Sequence, residues 1–248
     1  VEKMNRELVN KIRKKEAHIA VVGLGRVGLP TATVFANAGF GVTGVDVKQK
    51  VVKAISSGKS PITEHKLNGM IKRLVKTGKL RATTEILTAT RNADIVIVCV
   101  PTPLTSDGRQ DRTYLEKTCK DVGKGLSVGK LVMIESTVAP GTMKSIVSKV
   151  LEEESGLKCG EDFWLAYCPE RIAPGKAIRE LMEGARIVGG FDSESAQIAA
   201  DVFRLVTKGK ILITDCASAE VAKLAENTFR YVNIAFANEL ALICERLG

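Results

Sequence analysis

The sequence predicts an α/β protein: a doubly wound, mainly parallel sheet followed by one long helix. Three observations lead there. Short apolar, β-branched runs recur along the chain, and stretches with helical spacing separate them. Strands alternating with helices imply a parallel sheet covered on both faces. A glycine turn, Gly23-Leu24-Gly25-Arg26-Val27-Gly28-Leu29-Pro30, joins the first such run to the helix behind it. From about Ala217 the alternation stops, and Val221, Leu224, Ala225, Phe229, Val232, Phe236, Leu240 and Ile243 recur on one side of a proline-free helix.

Residues 1–16 mix charge with Leu8, Val9 and Ile12, the pattern of a short amphipathic helix. Residues 18–22 are short and β-branched enough for a buried strand, and 31–38 form a helix of small apolar residues that Gly39 stops. A second strand over 41–45 leads to a helix over 48–57 and a loop over 58–61. Leu67, Ile71, Leu74 and Val75 give 64–77 helical spacing, with Gly78 as its stop. A short strand over 80–84 and a brief helix through Thr90 precede 94–100, whose continuous apolar run predicts a fully buried strand. Pro101-Thr102-Pro103 ends it, because proline cannot continue a central strand. Asp111 is expected to cap a helix running to about Gly125. Strands over 130–135, 164–168, 186–188 and 211–214, with helices ending near Glu154 and over 193–206, complete the alternation.

Strand, glycine turn and helix form the context that makes G-x-G-x-x-G a dinucleotide site of the Rossmann type. Gly23 permits the tight turn, Gly25 lets backbone approach a pyrophosphate, and Gly28 lets helix pack on strand. The phosphates belong at the helix N-terminus, where unpaired N–H groups and the dipole favour negative charge. The second strand ends in Asp46, at the spacing where a carboxylate accepts hydrogen bonds from the ribose hydroxyls and repels a 2′-phosphate. NAD is therefore expected over NADP, with Lys48 and Lys50 softening the exclusion. The competing reading is a glycine turn that merely tightens a βαβ unit.

The chain has 248 residues, 45% hydrophobic and 26% charged, the composition of a water-soluble domain. No apolar run approaches the roughly 20 residues that span a bilayer, and the N-terminal stretch lacks a signal-peptide core, so a cytoplasmic protein without membrane contact is expected. Cysteines 99, 119, 159, 168, 216 and 244 show neither C-x-x-C pairing nor metal spacing, so no metal is expected. The net charge of +9 is scattered and not interleaved with aromatics, which argues against nucleic acid and for solvated helix faces that attract phosphorylated small molecules.

Open α/β sheets bind ligands beyond the carboxyl ends of their strands. Three loops leave such ends: residues 101–103, 136–141 and 169–171. The long helix adds Lys223 and Asn227, four apart and on one face. Asparagine is a poor helix-interior residue, and locally poor choices mark functional sites. Taken alone, Thr137 is equally a helix-capping hydroxyl, Glu170 beside Arg171 a surface ion pair, and Lys223 a solvated lysine.

Gly23 to Pro30, Val100-Pro101-Thr102-Pro103, Glu135 to Thr142, Cys168 to Gly175 (with Cys-Pro-Glu-Arg, then Pro174-Gly175) and Ala219 to Asn227 resemble the UDP-glucose/GDP-mannose dehydrogenase family, in the right order over nearly the whole chain. The Cys-Pro-Glu-Arg form is more similar to members acting on UDP-N-acetylmannosamine and related UDP-N-acetylhexosamines than to those acting on UDP-glucose. The resemblance implies oxidation of a sugar C6 alcohol to a carboxylate with reduction of two NAD, and a place in polysaccharide biosynthesis. It implies cofactor contacts at Gly23, Gly25, Arg26, Val27, Gly28, Asp46, Pro101, Thr102 and Thr137. Thr137 would hold a catalytic water, and Glu170 would be the acid/base that helps hydrolyse a covalent intermediate. Lys223 and Asn227 would stabilise the oxyanion at C6, and these two would bind the sugar with Glu170 and Arg171.

The family's nucleophilic cysteine lies in a Gly-His-Cys segment after the long helix, and none of the six cysteines has that context. The expectation is an NAD-binding domain over 1–215 and the start of a central dimerisation domain over 216–248, without the UDP-binding third domain. A cut-short, inactive cofactor part of a UDP-sugar dehydrogenase is therefore expected, forming a homodimer through the helix over 217–247. The alternatives are a UDP-glucose 6-dehydrogenase, a non-catalytic NAD-binding module, and a β-hydroxyacid-type dehydrogenase that shares the sheet and long helix.

Overall fold

The computed structural model describes residues 2–173 and 175–248. Val1 of the expected first helix and Pro174 of the expected 169–175 loop lie outside the described residues. The strands are β1 (His18–Val22), β2 (Gly41–Val45), β3 (Leu80–Thr83), β4 (Ile95–Val98), β5 (Leu131–Ile134), β6 (Trp164–Tyr167), β7 (Arg186–Gly190) and β8 (Ile211–Asp215). They form one sheet in the order 3-2-1-4-5-6-7-8. Every neighbouring pair is parallel except β6 and β7, which run antiparallel.

The helices are α1 (Glu2–Lys14), α2 (Gly28–Asn37), α3 (Gln49–Ser56), α4 (Leu67–Lys76), α5 (Ile86–Asn92), α6 (Thr113–Gly123), α7 (Ser148–Ser155), α8 (Ala177–Glu183), α9 (Ser193–Arg204) and α10 (Cys216–Leu247). Successive strand side chains point to opposite faces, so the central strands feed two cores. Ile19 and Val21 join one core with Phe35, Ile71, Ile178 and Phe203, from α2, α4, α8 and α9. Ala20 and Val22 join the other with Ala89, Leu115, Leu151 and Ala219, from α5, α6, α7 and α10. The doubly wound, mainly parallel sheet read from the sequence is the fold observed.

Three details differ from the sequence reading. Arg112 occupies the cap position of α6, and Asp111, one residue further out, accepts the Thr113 N–H at 2.9 Å. Met143–Val147 is a π-helical turn that leads into α7. Helix α8 has no sequence signal; Glu64, far away in the chain, fastens its start by accepting the Gly175 and Ala177 N–H groups at 2.9 and 3.1 Å.

Helix α10 starts at an Asp215 cap that accepts the Ser218 N–H at 2.9 Å. Its first turns are packed through Cys216, Ala219, Glu220 and Lys223. From residue 228 onward every side chain is exposed, including Phe229, Phe236 and Leu240. The apolar side of α10 does not return to the sheet beyond residue 228.

Candidate active site

The first-half strands β1, β2 and β3 and the second-half strands β4, β5 and β6 run outward from the centre, so a crevice opens beyond the carboxyl ends of β1 and β4. The glycine turn lies there. Gly23 has φ +92°, and a side chain on it would meet the Cys99 carbonyl at 2.5 Å. A Cβ on Gly28 would lie 1.8 Å from the Gly23 carbonyl, so helix α2 and the turn touch backbone to backbone. Gly25 has nothing within 4 Å of the same position, which leaves room for a ligand against bare backbone. Arg26 is exposed and Val27 is the half-buried cap residue of α2, whose first turn carries neither a side-chain cap nor an acidic residue. A helix start without a side-chain cap or an acidic residue, its dipole directed at the turn, suits a diphosphate.

Asp46 leaves the end of β2 and is held from two sides. Its carboxylate accepts the Leu24 N–H of the glycine turn at 3.0 Å and the Lys48 N–H at 2.9 Å. An open Gly25, an uncapped helix start and a carboxylate oriented by backbone donors fit an NAD molecule. When bound, that cofactor supplies the hydride acceptor.

The nicotinamide half of such a site falls to the loops after β4 and β5. Pro101 is exposed, while the Thr102 hydroxyl donates to the Thr137 carbonyl at 2.7 Å. The Gln110 amide donates to the same carbonyl at 2.6 Å and accepts the Ala139 N–H at 3.1 Å. The Thr137 carbonyl is thus held by two donors and its loop a third time at Ala139, and the Thr137 hydroxyl has no hydrogen-bond partner among the described residues.

The loop after β6 meets α10. Lys223, 4% exposed, donates to the Glu170 carboxylate at 3.0 Å and to its carbonyl at 2.5 Å. The other Glu170 oxygen accepts the Ile172 N–H at 2.9 Å. Arg171 turns away from Glu170 and forks onto Glu226 with two contacts of 2.9 Å. That pairing holds the Glu226 carboxyl below the usual carboxylate range. Asn227 is half-buried one turn beyond Lys223, and its side chain also lacks a partner among the described residues. The structure therefore joins Glu170 with Lys223 directly, and ties Arg171 to the same helix through Glu226. The adjacent pair Glu170–Arg171, considered from the sequence as one surface ion pair, is two separate contacts.

Several working residues escaped the sequence reading. Glu220 is fully buried and accepts the Gly141 and Met143 N–H groups at 2.6 and 2.8 Å, binding α10 to the loop that carries Thr137. Its position three residues before Lys223 was the available signal. Glu226, three residues after Lys223, carried the same signal. Gln110 and the buried pair Glu135–Arg186 had none, because their partners are distant in the chain. Burial pushes the Cys99 and Cys168 thiols well above their ordinary pKa, so Cys168 beside Pro169-Glu170 is no nucleophile in this setting.

A doubly wound sheet with a glycine turn, an oriented carboxylate and a lysine–glutamate pair defines a dinucleotide-dependent dehydrogenase domain. Residues 17–207 match the NAD binding domain of the UDP-glucose/GDP-mannose dehydrogenase family, and residues 217–248 match that family's central domain. The chain belongs to this family and carries its NAD-binding domain. It is 42% identical over 230 residues to the UDP-N-acetyl-D-mannosamine dehydrogenase of Pyrococcus horikoshii, covering 93% of this chain and 54% of that protein. The solved structure of the Pyrococcus enzyme superposes with a TM-score of 0.89, covering 93% of this chain and 55% of the other. An NDP-N-acetyl-D-galactosaminuronic acid dehydrogenase of Ralstonia solanacearum is 42% identical over 236 residues, covering 93% and 55%. A GDP-mannose dehydrogenase of Pseudomonas aeruginosa superposes with a TM-score of 0.86 at 31% identity, covering 89% and 51%. The chain spans about half the length of the curated relatives it matches.

Proposed function

We propose that residues 1–215 bind NAD for a nucleotide-sugar 6-dehydrogenase acting on UDP-N-acetylmannosamine, and that 216–248 begin its central, dimer-forming domain. The observation that carries this reading is the Lys223–Glu170 pair beside the Thr137 loop, at the mouth of a dinucleotide cradle. Oxidising a primary alcohol to a carboxylate removes two hydrides from C6 and adds one water oxygen. In this reading the Thr137 hydroxyl orients that water, and Glu170 takes its proton. The Lys223 ammonium and the Asn227 amide supply a charge and a neutral donor for oxygen charge developing at C6. In this reading Arg171 meets substrate only if it leaves Glu226; otherwise it positions the Glu170 loop.

The UDP-N-acetylmannosamine assignment draws on the Cys-Pro-Glu-Arg sequence and on the name of the Pyrococcus relative. UDP-glucose is the alternative substrate. The exposed apolar side of α10 supports association with a second copy, and six free thiols suit a reducing cytoplasm. No helix among the described residues is long and apolar enough to cross a membrane.

The test compares two proteins: residues 1–248 alone, and residues 1–248 fused to the remaining half of the Pyrococcus relative. Both should bind NADH. The fusion should form two NADH per UDP-N-acetylmannosamine, faster than with UDP-glucose. The 248-residue chain should not carry any UDP-sugar to the carboxylate, because it offers no active-site thiol to hold the acyl group through the second oxidation and no nucleotide-binding domain to orient C6. A fusion that folds and binds NADH but turns over neither sugar would favour a non-catalytic NAD module.

A further inference from the structure

Beneath the cofactor loops lies a charge pair that the chemistry above does not use. Glu135 is 0% exposed, and one of its oxygens accepts a 2.6 Å bond from Arg186 of β7. Its other oxygen accepts the Thr31 hydroxyl of α2 at 3.0 Å and the Cys99 thiol at 3.3 Å. The Arg186 guanidinium stacks 4.5 Å from the centre of the Phe203 ring on α9. Each contact lands on a different piece of the dinucleotide cradle. Thr31 is on the helix whose N-terminus faces the phosphates. Cys99 precedes the 100–103 loop, and its carbonyl occupies the side of Gly23 where a Cβ would lie. Glu135 itself precedes Ser136, whose hydroxyl donates to the Val100 carbonyl at 2.8 Å, and Thr137.

We propose that Glu135 is a positioning residue for the nicotinamide half of the NAD site, holding the 99–103 and 136–141 loops in register, and that Arg186 is the counter-charge it needs. The inference rests on the NAD-binding reading of the crevice. The adenosine half is held mainly elsewhere: Asp46 is fixed by Leu24 and Lys48, and α2 is seated by the Gly23–Gly28 contact as well as by the Thr31–Glu135 bond, whose two partners Arg186→Met leaves in place. The loops after β4 and β5 are tied to one another by Thr102, Ser136 and Gln110, and Glu135 is the side chain that anchors the ends of both strands to α2 and β7 beneath them. Removing one partner leaves a buried charge uncompensated, whereas removing both charges is often tolerated. Arg186→Met strands the carboxylate, and Glu135→Gln strands the guanidinium. The double variant Glu135→Gln/Arg186→Met has no charge left, and its amide oxygen still accepts from Thr31 and Cys99.

The experiment titrates the 248-residue chain and these variants with NADH, read by nicotinamide fluorescence, and with ADP, read by calorimetry. Arg186→Met should weaken NADH at least tenfold and change ADP by less than twofold. The Glu135→Gln/Arg186→Met double variant should return NADH affinity to within about threefold of the parent, while Glu135→Ala/Arg186→Met should stay weak. Should Arg186→Met fail to fold, the contrast between the two double variants carries the decision. Equal losses for NADH and ADP, or indistinguishable double variants, overturn the positioning role. If the parent binds neither NADH nor ADP, the NAD reading of the crevice fails first, and the inference falls with it.

Discussion

Asp46 shows how one side chain sets cofactor choice. Both of its oxygens already accept backbone N–H bonds, so the carboxylate is aimed and cannot swing away from an incoming ribose. Asp46→Ala should weaken NAD about ten- to hundredfold, the worth of a charged hydrogen bond, and narrow the gap to NADP; paired titrations measure both. Unchanged discrimination would remove Asp46 from the site. The thiols offer a second reading at this scale. Burial pushes Cys119 and Cys216 up to about 12 and also raises Cys99, Cys159 and Cys168. The thiolate is the reactive form, so alkylation of the folded chain at pH 8 should label Cys244 first. Mass spectrometry counts the labels, and rapid modification of Cys168 would contradict the burial argument.

At the level of elements, the turn between β1 and α2 separates two uses of glycine. Gly28→Ala drives a methyl into the Gly23 carbonyl and should cost about 3 kcal/mol or more. Gly25→Ala meets no protein atom and should change stability by less than about 0.5 kcal/mol, yet it intrudes where a pyrophosphate would lie. Thermal unfolding with NADH titration should therefore find one variant unstable and the other stable but weak-binding. The loop after β6 gives a pH-dependent counterpart. Arg171 holds the Glu226 carboxyl below its usual value, so their contribution is complete above pH 4.5 and fades as pH falls through the lower folded value. Arg171→Ala should cost about 1 kcal/mol at pH 7, given partial exposure. That deficit should shrink as denaturant melts are moved below pH 4.5, and a deficit independent of pH would assign it to packing.

Over the whole molecule, the imbalance is at α10. Its base is locked to the sheet by Glu220 and Lys223, and its second half stands clear with Phe229, Phe236 and Leu240 exposed. Burying such a side chain fully is worth roughly 1.5–3 kcal/mol, so several together favour self-association. Light scattering over a wide concentration range should show dimers or larger species, and Phe229→Ser with Phe236→Ser should shift the chain towards monomer. A monomer at all concentrations would leave the apolar side without a role in dimer formation.

Most of the sheet was legible in the chain, because a buried parallel strand must be a short apolar run and a glycine stop must follow a helix. Residues 18–22 and 41–45 match β1 and β2 to the residue for that reason. The glycine turn and Asp46 were legible too, since their chemistry depends on neighbours a few residues apart. What required the folded structure is contact between segments remote in sequence. Glu64 reaches α8, Gln110 grips the Thr137 loop, and Arg186 crosses to Glu135. Arg171 chose Glu226 over its neighbour Glu170, which Lys223 had taken. Local propensity does not encode such choices; they follow from which charges the sheet order brings within reach after the backbone is placed, where an unpaired buried charge is too costly to remain.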